Sequence, residues 1–134
     1  MSRRDARRHI FNLMFQNEFN KEINTHESIE TYRNEYENFE RKDILFIKNE
    51  YTGILENVDS IIDKFSIGWS VDRLSTVDKA ILRIAVYEIM FDDDIPNKVS
   101  VNEAVELAKE FSEDKAPSFI NGVLGKVVRY KEAN

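Results

Sequence analysis

Ser75-Thr76-Val77-Asp78-Lys79-Ala80-Ile81-Leu82-Arg83-Ile84-Ala85-Val86-Tyr87-Glu88-Ile89-Met90-Phe91 is a helix that carries its own start signal. Ser75 stands at the cap position, and Asp78 falls in the first turn, where the helix dipole favours negative charge. From Ala80 to Phe91 the segment is almost wholly apolar. A helix apolar around most of its girth must be enclosed by others, so this one is expected at the centre of a bundle.

Downstream, Asp92-Asp93-Asp94-Ile95-Pro96-Asn97 reads as a loop. Its three aspartates lack the glycine and the distal glutamate of a calcium loop, and a solvated acidic turn is expected. Ser100-Val101-Asn102-Glu103 has the form of a capping box, followed by an apolar stripe of Val101, Ala104, Val105, Ala108 and Phe111. A last helix is expected from Pro117, a residue suited to a first helical position. It should bury Ile120, Val123, Leu124 and Val127, with Gly122 and Gly125 letting backbones approach.

Upstream the period is again helical. Ile44, Ile47, Tyr51, Ile54, Leu55, Val58, Ile61, Ile62 and Phe65 lie on one stripe, which predicts a single helix from about Asp43 to Phe65. A short turn from Ser70 to Leu74 should follow it, with Trp69 at its entrance. Before that stripe, Ile29, Tyr32, Tyr36 and Phe39 predict a helix starting after Asn24, with Glu27 as its capping partner. In the first segment Ala6, Ile10, Leu13 and Met14 share one arc. Arg4, Arg8, Phe11, Phe15 and Phe19 share the adjoining one. Core packing and an exposed aromatic row are both open for those phenylalanines.

The chain has 134 residues, 42% of them hydrophobic, with four glycines and two prolines. That suits an all-α bundle forming a single domain over residues 1–134. The absence of cysteine excludes disulfides, a cysteine nucleophile and thiolate metal sites. No apolar run reaches the length of a membrane span, and the start has no apolar signal region, so a cytoplasmic protein is expected.

Charge carries the functional hint. The net charge is −6, yet Ser2-Arg3-Arg4-Asp5-Ala6-Arg7-Arg8-His9 sets four arginines against one aspartate. This is a local basic patch on an acidic protein, either a solvated arm or a place to hold a phosphate backbone. The same segment adds aromatics, and basic groups with aromatics are the ingredients of single-stranded RNA binding. A second candidate is the start of the last helix, with Lys115, the free N–H groups behind Pro117, and Phe119. His9 and His26 stand in different segments among surface-type residues, without metal spacing. No phosphate-loop, dinucleotide or nucleophile-elbow motif occurs. No active site, metal or cofactor is expected.

Four blocks resemble the NusB family of transcription antitermination factors. They are the Arg3–Arg7 start, Val77–Glu88, Lys98–Lys109 and Phe119–Lys126, in the family's order. The resemblance implies an all-α bundle of about seven helices. It implies binding of the single-stranded boxA element of nascent ribosomal RNA leaders together with NusE, a small-subunit ribosomal protein. It also implies a place in the RNA polymerase antitermination complex. By position, Arg3, Arg4 and Arg7 match the family's RNA-contacting arginines, and Arg8 extends the run. Lys115 and Phe119 match a region near the RNA, and Phe15 and Asp78 a surface for NusE. Arg8 stands where the family commonly has an acid, Asp5 where it is often basic, and Phe15 lacks the hydroxyl of the usual tyrosine. Two other readings are an adaptor that binds protein without RNA, and the NusB-like N-terminal part of a ribosomal RNA cytosine methyltransferase. The chain ends at Asn134 without a nucleotide-binding region, which speaks against the latter. A homodimer fits the aromatic row as well as a partner does.

Overall fold

Ser75 caps its helix as its position predicts. Its backbone is extended (φ −60°, ψ 155°), and its Oγ accepts the Asp78 N–H at 3.1 Å. In the computed structural model, which describes residues 1–19, 27, 29–30, 32, 39–66 and 73–134, this helix is one of six with defined bounds. They are α1 (Arg3–Phe19), α2 (Arg41–Asn57), α3 (Asp59–Phe65), α4 (Thr76–Phe91), α5 (Asn97–Phe111) and α6 (Ala116–Ala133). Among the described residues there is no strand, and no helix long and apolar enough to cross a membrane. The turn after Trp69, along with His26, Tyr36 and the start near Asn24, lies outside the described residues, as does the Phe19 side chain. The chain divides into two units, Met1–Glu56 and Asn57–Asn134.

In the second unit α4 is central, packed against α3, α5 and α6. Ala80, Ile81, Leu82, Ile84, Ala85, Val86 and Ile89 are all buried. Burial of this kind, at about 25 cal/mol per Å² of apolar surface, is the main force holding the unit together. The last helix buries Ile120, Val123, Leu124 and Val127, as its period requires.

Four expectations are corrected. The helix expected from Asp43 to Phe65 is two helices, broken at Val58 (φ −105°, ψ −24°). Past the break Ile62 is buried, while Leu55, on the expected stripe, is exposed. The break also presents Asp59 to Arg83 of α4. Nε and Nη2 of Arg83 donate to Oδ1 and Oδ2 of Asp59, each at 2.9 Å, a two-pronged charged pair. Ser100 is not a cap. The helix begins three residues earlier, after Pro96, and the Ser100 hydroxyl is buried and donates to Oε1 of Glu88 at 3.0 Å. Glu88 is only 2% exposed, and a buried carboxylate requires such a donor. Phe111, placed on the buried stripe, is 45% exposed at the end of α5. Gly122 faces open space, and a side chain at Gly125 would meet only the end of Arg129, so neither marks a close helix approach.

In the first unit, Ala6, Ile10, Phe11, Leu13 and Met14 of α1 are buried, as are Ile47, Tyr51 and Ile54 of α2. Glu27, Ile29, Glu30 and Tyr32 are helical, with Ile29 and Tyr32 buried. His9 is not a surface residue. Its ring meets Tyr32 edge-on at 5.5 Å and Phe39 at 4.8 Å between centroids. Its Nδ1 is hydrogen-bonded to the Tyr32 hydroxyl, which also accepts from Asn12 Nδ2 at 3.4 Å. Burial pushes the imidazole below its ordinary value of 6.5, and the nearby Asp5 charge opposes this.

Two outcomes follow. Asp59→Ala should lower stability by about 1–2 kcal/mol in thermal or urea melts, since the lost pair is bidentate but half-open to solvent. For His9, the unfolded chain binds the proton more readily than the folded one. Stability should therefore fall as the pH drops below about 6.5. Melts at pH 7.5 and 5.5 should differ more for the wild type than for His9→Gln.

Candidate nucleic-acid and partner surfaces

The arginines at the start of α1 are held by a capped helix end. The Ser2 hydroxyl accepts the Asp5 N–H at 3.0 Å, and the Ser2 carbonyl accepts from Ala6 at 2.9 Å. Hydrogen bonds from the Ser2 side chain and backbone hold the fully exposed Asp5 carboxyl below its usual range. The one acid among the arginines is thus part of the cap. Its position within Ser-x-x-Asp is the signal that sequence reasoning passed over.

The four arginines do not share one environment. Arg3 and Arg4 are exposed, Arg8 is half-buried, and Arg7 is only 6% exposed. The helical period explains this, because Arg7 lies one turn before the buried Ile10 and Phe11, on the side that packs inward. Phe11 and Phe15 also part company: Phe11 is buried, and Phe15 is 36% exposed.

The second unit brings three of the sequence-derived residues together. Asp78, Lys115 and Phe119 line one groove of about 300 Å³, with Arg73, Leu74, Ser75, Glu113 and Ala116. It lies where α4 and α6 both begin, so two positive helix ends meet in the same region, although the Asp78 N–H is taken by Ser75 Oγ and the Ala116 N–H by the Glu113 carbonyl. Arg73 and Lys115 add full positive charges, Phe119 adds an aromatic face, and Asp78 and Glu113 add acceptors. Such a groove suits a ligand with an anionic group, a flat ring and hydrogen-bond donors, which describes a nucleotide. Arg73 was missed in the sequence, although a cation just before a capping serine is a readable signal.

Asp78 has a second task. Its Oδ1 accepts the Ser112 hydroxyl at 2.6 Å, joining the first turn of α4 to the residue that ends α5. The two are 34 residues apart, so no local pattern announces the pair. Among the described residues no cluster of His, Asp and Glu is placed to hold a metal ion.

An all-α protein with a capped, arginine-bearing first helix and a charged groove at two helix starts is the class defined so far. The NusB family model matches residues 4–129. The transcription antitermination protein NusB of Agathobacter rectalis is 42% identical over 129 residues, covering 94% of this chain and 98% of that protein. The protein of the same name from Natranaerobius thermophilus is 45% identical, covering 95% and 94%. Among solved structures, NusB of T. maritima superposes with a TM-score of 0.86 at 32% identity, covering 96% of this chain and 92% of that one. A complex of the antitermination factors NusB and NusE with double-stranded RNA contains a chain with a TM-score of 0.81 at 26% identity, covering 96% of each. The chain belongs to the NusB family.

Proposed function

We propose that this chain is a transcription antitermination factor, one RNA-binding domain over residues 1–134 that acts without catalysis. It binds the boxA element of nascent ribosomal RNA leaders together with NusE and helps RNA polymerase read through terminators. The observation that carries the reading is the pair of exposed arginines, Arg3 and Arg4, on a capped helix end of a protein whose net charge is −6. Away from that patch the acidic surface repels a phosphate backbone, so the patch selects where a strand lies. Family membership supports the same reading, as does the likeness to a NusB that is solved with NusE and RNA.

The neighbour's RNA is double-stranded. The side chains here suit a single strand better, since Phe119 offers a face on which an unpaired base can stack. In the first unit Arg3, Arg4 and Arg8 then hold phosphates; in the second, Lys115 offers a cation of its own beside Phe119. Arg7, being buried, contributes to the packing of α1 as much as to the ligand. Phe15 of the first unit and Asp78 of the second are each contacts for the protein partner. The protein works as a cytoplasmic component of the polymerase antitermination complex, and the exposed Phe15 ring fits a second copy of this chain as well as it fits NusE.

RNA affinity measured against salt tests the reading. With about three or four phosphates neutralised, the log–log slope should be roughly −2 to −3 for a single strand. Arg3→Ala with Arg4→Ala should weaken boxA binding and flatten the slope by about 1.4. An unchanged slope would move the site elsewhere. NusE should tighten binding of the same RNA, because two linked contacts raise the effective concentration of each. Phe15→Asp should abolish that gain with only a small fall in melting temperature, since the ring is already partly in water. A large fall would mean that the ring serves the fold instead.

A further inference from the structure

The guanidinium carbon of Arg3 lies 5.3 Å from the centroid of the Phe46 ring on α2. Phe46 is half-buried, and Arg3 is exposed. A cation within about 6 Å of an aromatic face is attracted by the ring quadrupole. Arginine suits this contact because its planar, weakly hydrated group can rest one face on the ring while its other face and its N–H edge stay available. The backbone of Arg3 is fixed as well, by the Ser2 cap and the Ala6 N–H bond to the Ser2 carbonyl. An arginine at the first position of a helix is ordinarily among the most mobile side chains of a protein. Here it is held at the backbone by the cap and at the guanidinium by a ring from another helix.

We propose that Phe46 is a positioning residue for RNA binding, one that holds Arg3 oriented toward a strand before the strand arrives. The proposal rests on the reading of Arg3 as an RNA contact. Its physical content is that a side chain ordered in advance loses fewer rotamers on binding, so more of the phosphate or base-stacking contact appears as affinity. Phe46 stands in the part of the sequence that carried none of the RNA-binding signals. Only the fold brings it to Arg3.

A double-mutant cycle on RNA affinity separates this role from a merely structural one. The probe is a fluorescently labelled single-stranded boxA oligonucleotide, titrated in the presence of NusE. Phe46→Leu should weaken binding about two- to five-fold, the range of an exposed cation–π contact. Phe46→Tyr, which keeps the ring, should bind like the wild type. In an Arg3→Ala background, Phe46→Leu should add nothing further. The salt slope should stay unchanged in Phe46→Leu, whose charges are intact, and flatten by about 0.7 in Arg3→Ala. If Arg3→Ala weakens binding but Phe46→Leu does not, the positioning role is overturned and the arginine contact stands. Equal losses from Phe46→Leu with and without Arg3 would also overturn it, because the ring would then act through the fold. If Arg3→Ala binds RNA like the wild type, the arginine contact itself fails and the positioning role fails with it.

Discussion

Enclosing a helix on nearly every side is possible only if its polar positions find partners within the protein, and α4 meets that condition. Its apolar residues exclude water from three neighbouring helices, which leaves Arg83 and Glu88 without the solvent they would otherwise require. Each is met by a particular donor or acceptor. Asp59 takes both prongs of Arg83, and Ser100 donates to Glu88. Those two requirements shape the rest of the second unit. The first coincides with the break at Val58 that starts a new helix at Asp59. The second draws Ser100 away from any capping role and is compatible with the helix starting at Asn97.

The same helix sets the geometry of the groove. Its first turn carries Ser75 and Asp78, and Asp78 is tied to Ser112 at the end of α5. The short link from there to α6 places Lys115, Ala116 and Phe119 beside the start of α4. The charged groove is therefore a product of how two helix beginnings are brought together. Its mixture of cations, acids and one aromatic ring favours a ligand with both charge and a flat face over a simple anion. In the first unit the equivalent device is the Ser2–Asp5 cap, which turns an arginine-rich chain start into an ordered helix end.

Sequence patterns served best where a single local rule decides the outcome. The capping of α4, its burial, the inward stripe of α6 and the helical class were all legible, because 3.6-residue periodicity and cap chemistry act within one segment. The basic patch was legible as composition. Its internal division was not: Arg7 is buried while Arg3 and Arg4 are exposed, which depends on how α1 rests on its neighbours. His9 shows the same limit. At the end of the arginine run it reads as a surface group, yet Tyr32 and Phe39 pack against it.

By itself, then, the sequence determined the helical class, the identity of the central helix, the location of the positive charge and the family. These are properties of short stretches or of their order along the chain. The tertiary structure decided which side chains answer one another: Arg83 with Asp59, Glu88 with Ser100, Asp78 with Ser112 and Arg3 with Phe46. Each pair joins residues 12 or more positions apart, and their meeting depends on the packing of whole helices. Packing answers to volume and burial summed over a unit, and no window of sequence contains that sum.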